Sequence, residues 1–218
     1  MHHHRYNPEF RFVKDPVDFD RRTNPKFLRY CLGATMYMPG YQNFTQKILD
    51  EWLPGLTSMV LCFEDACPEG RVPEAEDNTL SLLDDVATAL DEGRADPSRV
   101  PLIFCRVRSL EQFIRFADRV TPHMAKVLCG YNFPKFNSRN GEAYMTHLAT
   151  LNKRYDDVLY GMPIIEDPRV AFKESRMGEL MGIREILDER YDLVLQVRVG
   201  ATDFSSCFGA RRGVDYSI

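Results

Sequence analysis

Short, continuous apolar runs alternate along the chain with longer stretches in which apolar residues recur every three or four positions. The runs fall at about 35–38, 58–63, 101–106, 128–134, 159–165 and 193–199. Each is too short for a helix, and none alternates apolar with polar residues, the pattern of strands covered on both faces. Between them, Phe44, Ile48 and Trp52 make one stripe within 42–53, and Leu80, Leu83, Val86 and Leu90 make another within 78–92, with Gly93 where that helix would end. Ser109 followed by Gln112 has the form of a capping box ahead of Phe113, Phe116, Ala117 and Val120. Further helices are predicted over 141–155 and 174–191, where Met177 and Met181 keep helical spacing and read as core packing. Strand and helix in regular alternation define an α/β fold with a parallel sheet.

What stands at the end of each run adds chemistry to this outline. The second run stops at Glu64-Asp65, the third at Arg106, the fourth at Pro134-Lys135 and the fifth at Glu166. The sixth passes into Gly200-Ala201-Thr202-Asp203. A parallel sheet puts all such ends on one rim, so carboxylates and cations distant in sequence converge there. Six strands fit either an open sheet or an eight-stranded barrel lacking its last two units. An open sheet binds mostly at one switch point, so functional groups at nearly every strand end favour the barrel.

Composition narrows the classes of function. The chain has 218 residues, 44% of them hydrophobic, and a formal net charge of -4, so one sizeable core is expected and nucleic acid is disfavoured as a partner. No apolar run is long enough to cross a bilayer, so no membrane association is expected. The six cysteines form no CxxC pair and lack zinc-site spacing, which fits a reduced, cytoplasmic setting. Residues 1–30 read as an N-terminal arm, with His2-His3-His4 left out of the fold, and 31–218 as the barrel domain.

The strand-end residues also carry a resemblance. Tyr37-Met38-Pro39-Gly40, Phe63-Glu64-Asp65-Ala66, Arg106, Phe133-Pro134-Lys135, Pro163-Ile164-Ile165-Glu166 and Gly200-Ala201-Thr202-Asp203 occur in the order seen in the citrate lyase beta subunit-like (HpcH/HpaI aldolase) superfamily. The longer strings YCLGATMYMPG, LTSMVLCFEDAC, YGMPIIE and VRVGATDFSSCFGARRG resemble a narrower branch, the TIM-barrel carbon–carbon bond lyase of bacterial tellurite-resistance and stress (TerB-type) operons. The likeness covers about residues 30–218. It implies a (β/α)8 TIM barrel, truncated here after about six βα units, in which strands one and six do not pair and the exposed edge invites homo-oligomers.

The resemblance further implies a Mg²⁺ (or Mn²⁺) ion held by Glu166 and Asp203, with Arg106 facing the oxygen that becomes an enolate as a C–C bond breaks. Glu64 and Asp65 are the other catalytic candidates. Lys135 and the backbone amides of Gly200 and Ala201 join Arg106 as candidates for binding a small 2-oxo acid or acyl thioester. The relatives that split hydroxy-oxo acids use a histidine base, but His123 and His147 both lie away from strand ends, which leaves the base unassigned. Arg108 replaces the Asn of acyl-CoA-cleaving relatives.

Plainer roles compete with several of these. Arg106 is also a natural structural partner for Glu64 across the barrel mouth, and Lys135 for a carboxylate beside its turn. Cys67 and Cys207 lie near the rim without a His motif and read as bystanders. His147 reads as a packing residue, and Arg211-Arg212 as a solvated face or a phosphate contact. The alternative to an enzyme is a noncatalytic barrel serving as an assembly partner in a stress-response biosynthetic operon.

Overall fold

The computed structural model describes residues 9–14, 17–50 and 55–210. Six strands, β1 (Met36–Pro39), β2 (Ser58–Cys62), β3 (Leu102–Arg106), β4 (Leu128–Phe133), β5 (Tyr160–Ile165) and β6 (Arg198–Val199), form one sheet in sequential order. Every pairing is parallel. Helices α1 (Pro25–Leu28), α2 (Thr45–Leu49), α3 (Val72–Asp91), α4 (Leu110–Ala117), α5 (Pro122–Ala125), α6 (Gly141–Tyr155), α7 (Pro168–Ala171), α8 (Lys173–Glu189) and α9 (Ala201–Cys207) fill the connections.

Strands β2 to β5 are buried at every position and largely apolar because two cores share them. Met59, Leu61, Ile103, Cys105, Leu128 and Tyr131 pack outward with Phe113, Phe116, Tyr144 and Leu148 of the helices. Val60, Leu102, Phe104, Cys129, Tyr160 and Met162 point to the other side, and there they meet Phe19, Leu28 and Leu32 of the N-terminal segment. That segment therefore plugs the inner face of the sheet. Arg21 fastens it, donating to the carbonyls of Leu128 and Val158 and pairing with Asp157 at 2.9 Å. At Gly130 the β3–β4 register shifts, and a Cβ there would collide with the Tyr160 carbonyl, so the close approach requires glycine.

The sheet is curled. Asn132 on β4 donates to the Tyr37 hydroxyl on β1 at 2.8 Å, a contact that a flat sheet with three strand spacings between them would forbid. Among the described residues β1 and β6 share no ladder, and only side chains cross the seam: Arg198 reaches Tyr37 and Thr35, and Gln196 reaches the Arg29 carbonyl. The result is a curled α/β half-barrel of six parallel strands.

Several sequence expectations need correction. The sixth run forms a strand only at Arg198–Val199, preceded by an isolated bridge between Gly161 and Val194 and a 3-10 turn at Tyr191–Leu193. As an edge it has a ladder partner on one side alone. Helix α3 starts at Val72, earlier than 78, because Pro73 in its first turn and buried Val72, Ala75 and Glu76 extend it backwards. Ser109 caps α4 through the Gln112 amide, but the Gln112 side chain accepts from Arg108 instead of closing a box on Ser109. Met177 and Met181 are 67% and 47% exposed, since α8 buries only Glu179 and Ile183 among the described residues. Trp52, His2-His3-His4 and Arg211-Arg212 lie outside the described residues.

Candidate active site

The strand ends converge on Arg106. It is 8% exposed, and its guanidinium lies 2.5 Å from Glu64, 3.0 Å from Asp65 and 3.4 Å from Glu166. Burial favours the neutral form, but the carboxylates of Glu64, Asp65 and Glu166 outweigh it and hold the arginine cationic. Its Nε is buried with no partner among the described residues. The pairing of Arg106 with Glu64 anticipated on structural grounds is therefore present, within a larger cluster that also contains Asp65, beyond the same strand end as Glu64, and Glu166, beyond β5.

Lys135 occupies a left-handed backbone conformation, φ 50°, an uncommon state for a side chain with a Cβ. That turn aims its amide at Glu166 Oε1 (3.0 Å) and its ammonium at Glu64 (2.5 Å). Desolvation pulls the Lys135 pKa down, yet the hydrogen bond to Glu64 and the charges of Glu64, Glu166 and Asp203 raise it overall, so Lys135 is a cation and not a proton acceptor at neutral pH. Both Glu64 oxygens are engaged, Oε1 by Lys135 and Oε2 by Arg106 and the Asp65 amide.

Glu166 is 3% exposed, and its Oε1 takes both Arg106 and the Lys135 amide, while Oε2 has no hydrogen bond among the described residues. Its pKa is raised, first by burial and then by the like charge of Asp203, against the opposing pull of the Lys135 amide and Arg106. Glu166 and Asp203 therefore feel each other, and the Asp203 carboxylate itself has no hydrogen bond or ion pair among the described residues. Both line one cavity of about 870 Å³ together with Asp65, Arg106, Tyr37 and Arg198. A second oxygen on Glu166 and a free Asp203 carboxylate, facing one space, suit a hard divalent cation that keeps most of its shell for water or substrate. Among the described residues no group of three or more His, Cys, Asp and Glu assembles around a metal position, and these two carboxylates are the candidate donors.

Gly200 makes this approach feasible, because a Cβ there would run into Glu166 Oε2. Its amide, expected to face substrate, donates instead to the Ile165 carbonyl at 3.1 Å and is consumed by the sheet. Ala201 begins α9 and lines the cavity. Lys135 and Glu64 do not line it; they stand beside Arg106 and Glu166.

Four residues that matter to this geometry were not among the candidate site residues, although Arg108 and Tyr37 figured in the resemblance. Arg108 donates to the carbonyls of Phe63 and Cys67, which fixes the loop that presents Glu64 and Asp65. Asn132, Tyr37 and Arg198 form a chain of hydrogen bonds across the inner face. The signal available was period two: Asn132 lies two residues after Gly130, and Arg198 two before Gly200. Of the cysteines near the rim, burial raises the Cys67 pKa, and the Cys207 thiol donates to the Asp203 carbonyl. His147 packs edge-on against Phe113 on α6, and His123 sits on α5 near Asp91, both apart from the cavity lining.

The raised Glu166 pKa predicts a pH dependence. A carboxyl whose folded pKa exceeds its unfolded value adds stability that is full below the ordinary glutamate range and is lost as pH rises through the folded value. In metal-free protein, the unfolding midpoint of the parent should therefore fall relative to Glu166→Gln as pH rises from the glutamate range toward neutrality. Thermal melts of both proteins across that window check this; a constant difference would contradict it.

A parallel βα half-barrel with acids and cations gathered at the strand C-termini has the architecture of part of a TIM barrel, the fold whose active sites occupy that rim. The chain belongs to the C-C_Bond_Lyase family, the C–C bond lyases of the TIM-barrel fold, whose family model matches residues 26–218. No curated protein matches the chain. No helix among the described residues is long and apolar enough to cross a membrane.

Proposed function

We propose that this lyase is divalent-metal-dependent, that it acts on a small 2-oxo acid or acyl thioester through an enolate, and that it is a cytoplasmic relative of the HpcH/HpaI aldolases from the tellurite-resistance branch. The observation that carries the reading is the gathering of Arg106, Glu166 and Asp203 on one cavity at the strand C-termini. Glu166 and Asp203 would hold Mg²⁺ or Mn²⁺. When bound, that ion supplies Lewis-acid polarisation of the substrate carbonyl.

The chain's own residues account for the rest. Cleavage next to a carbonyl leaves the bonding electron pair on the fragment that becomes an enolate, so negative charge grows on one oxygen. Arg106, already fixed by three carboxylates, offers its guanidinium to that oxygen without reorganising, which lowers the barrier more than it tightens ground-state binding. Glu64 and Lys135 act as positioning residues, Glu64 by anchoring both cations and Lys135 by holding Glu166 in place. Asp65 lines the cavity with its side chain 62% exposed, so it is the carboxylate placed to order a water or accept a proton.

The test is cleavage of a panel of 4-hydroxy-2-oxo acids and 3-hydroxyacyl thioesters, followed by release of the 2-oxo acid or acetyl thioester. Turnover should need Mg²⁺ or Mn²⁺ and stop on chelation. Turnover that persists after chelation would rule out the metal-dependent mechanism.

A further inference from the structure

Two cations on the cavity wall, Arg198 and Arg29, have no carboxylate partner among the described residues. Arg198 donates to the Tyr37 hydroxyl and to Thr35 Oγ1, both at 3.2 Å and both neutral, and its Nε is buried without a partner among the described residues. No carboxylate pairs with it among the described residues, and the same holds for Arg29, which donates to the Pro25 carbonyl and lies over the Tyr191 ring. This contrasts with Arg106, which three carboxylates surround. A half-buried guanidinium with neutral partners is poorly compensated, and an oxyanion is the ligand that completes it.

Its position gives the spacing. Arg198 lies on β6 two residues before Gly200, whose amide still pairs with the Ile165 carbonyl as the chain leaves the strand, and Gly200 abuts Glu166. Two strand residues advance about 7 Å, so Arg198 lies about that far down the cavity from the carboxylate pair. Gln196 and Arg29 follow further along the same wall.

We propose that Arg198, with Arg29 behind it, is a second oxyanion subsite, and that the substrate carries a carboxylate or phosphate group about 7 Å from its reacting 2-oxo acid end. This rests on the lyase reading for the first anionic group. It goes beyond that reading by making the substrate a dianion, with Arg198 as the residue that selects it.

Titration calorimetry of the full chain with Mg²⁺ present tests this with three five-position probes: 2-oxopentanoate, 2-oxoglutarate, and 2-oxo-4-phosphonobutanoate. Either or both dianions should bind at least about tenfold tighter than 2-oxopentanoate, and whichever does so tells carboxylate from phosphate. In Arg198→Gln the ratio of dianion to monoanion affinity should fall toward one, and Arg198→Lys, which keeps charge without the fork, should fall between. Circular dichroism of each variant separates lost binding from lost folding, and Arg29→Gln, which should reduce the ratio less, decides the matter if Arg198→Gln does not fold. Equal affinity for all three probes, or a preference that survives these variants, overturns the subsite and leaves the lyase reading standing. Arg198-dependent binding of the dianions alongside no binding of 2-oxopentanoate overturns the lyase reading instead, and failure of every probe overturns both.

Discussion

Replacing Arg106 by lysine is expected to lower turnover about 100-fold, the size of effect seen when one donor to a developing oxyanion is removed. The guanidinium contacts Glu64, Asp65 and Glu166 at once, which a planar fork can do and a single ammonium cannot. Lysine preserves the positive charge beside Glu64 and Glu166, so the fold should survive with a modest fall in unfolding midpoint. Arg106→Leu is the contrasting variant. It strands two buried carboxylates and should cost about 3–5 kcal/mol of stability, the usual penalty for breaking a buried ion pair on one side. Steady-state kinetics and thermal melts on the two proteins separate the effects. Unchanged turnover in Arg106→Lys would reduce the arginine to a structural tie across the mouth.

Glu166→Gln and Asp203→Asn should each weaken Mg²⁺ or Mn²⁺ binding by more than about 100-fold. Loss of a residue that only supports a ligand typically costs about 10–100-fold, and here one of two direct ligands is lost. The two carboxylates act on one ion, so the double variant should bind scarcely worse than either single one. Mn²⁺ titration followed by electron paramagnetic resonance reads this directly. Parent-like binding in either single variant would remove that residue from the cation site.

Much of this arrangement was legible before any coordinates. Four strands, β2 to β5, are largely apolar runs because both of their faces are buried, and a polar residue ends each run where the barrel rim meets water. Arg106 and Glu166 were visible for that reason. Helices α1, α5 and α7 were not, since four residues are too few to display a period. The plug formed by Phe19, Leu28 and Leu32 escaped notice because its apolar residues are isolated within a polar, proline-rich segment and gain meaning only inside the curled sheet. The curl also explains Arg198. On the page it is one charged residue near the end of a run, and only the seam with β1 brings it to Tyr37 and Thr35. Met177 and Met181 illustrate the converse: helical spacing is present, but no described element covers that face of α8.

The central claim is that Arg106, Glu166 and Asp203 form one enolate-stabilising site, and isotope exchange tests it without knowledge of the natural aldol partner. Pyruvate incubated with the protein in D₂O and Mg²⁺ should incorporate deuterium into its methyl group, as followed by proton NMR. The account predicts exchange that chelation stops, that Arg106→Lys slows about 100-fold, and that Glu166→Gln and Asp203→Asn abolish. Exchange at the parental rate in Glu166→Gln and Asp203→Asn, or none in the parent with pyruvate and with acetyl thioester alike, would contradict it.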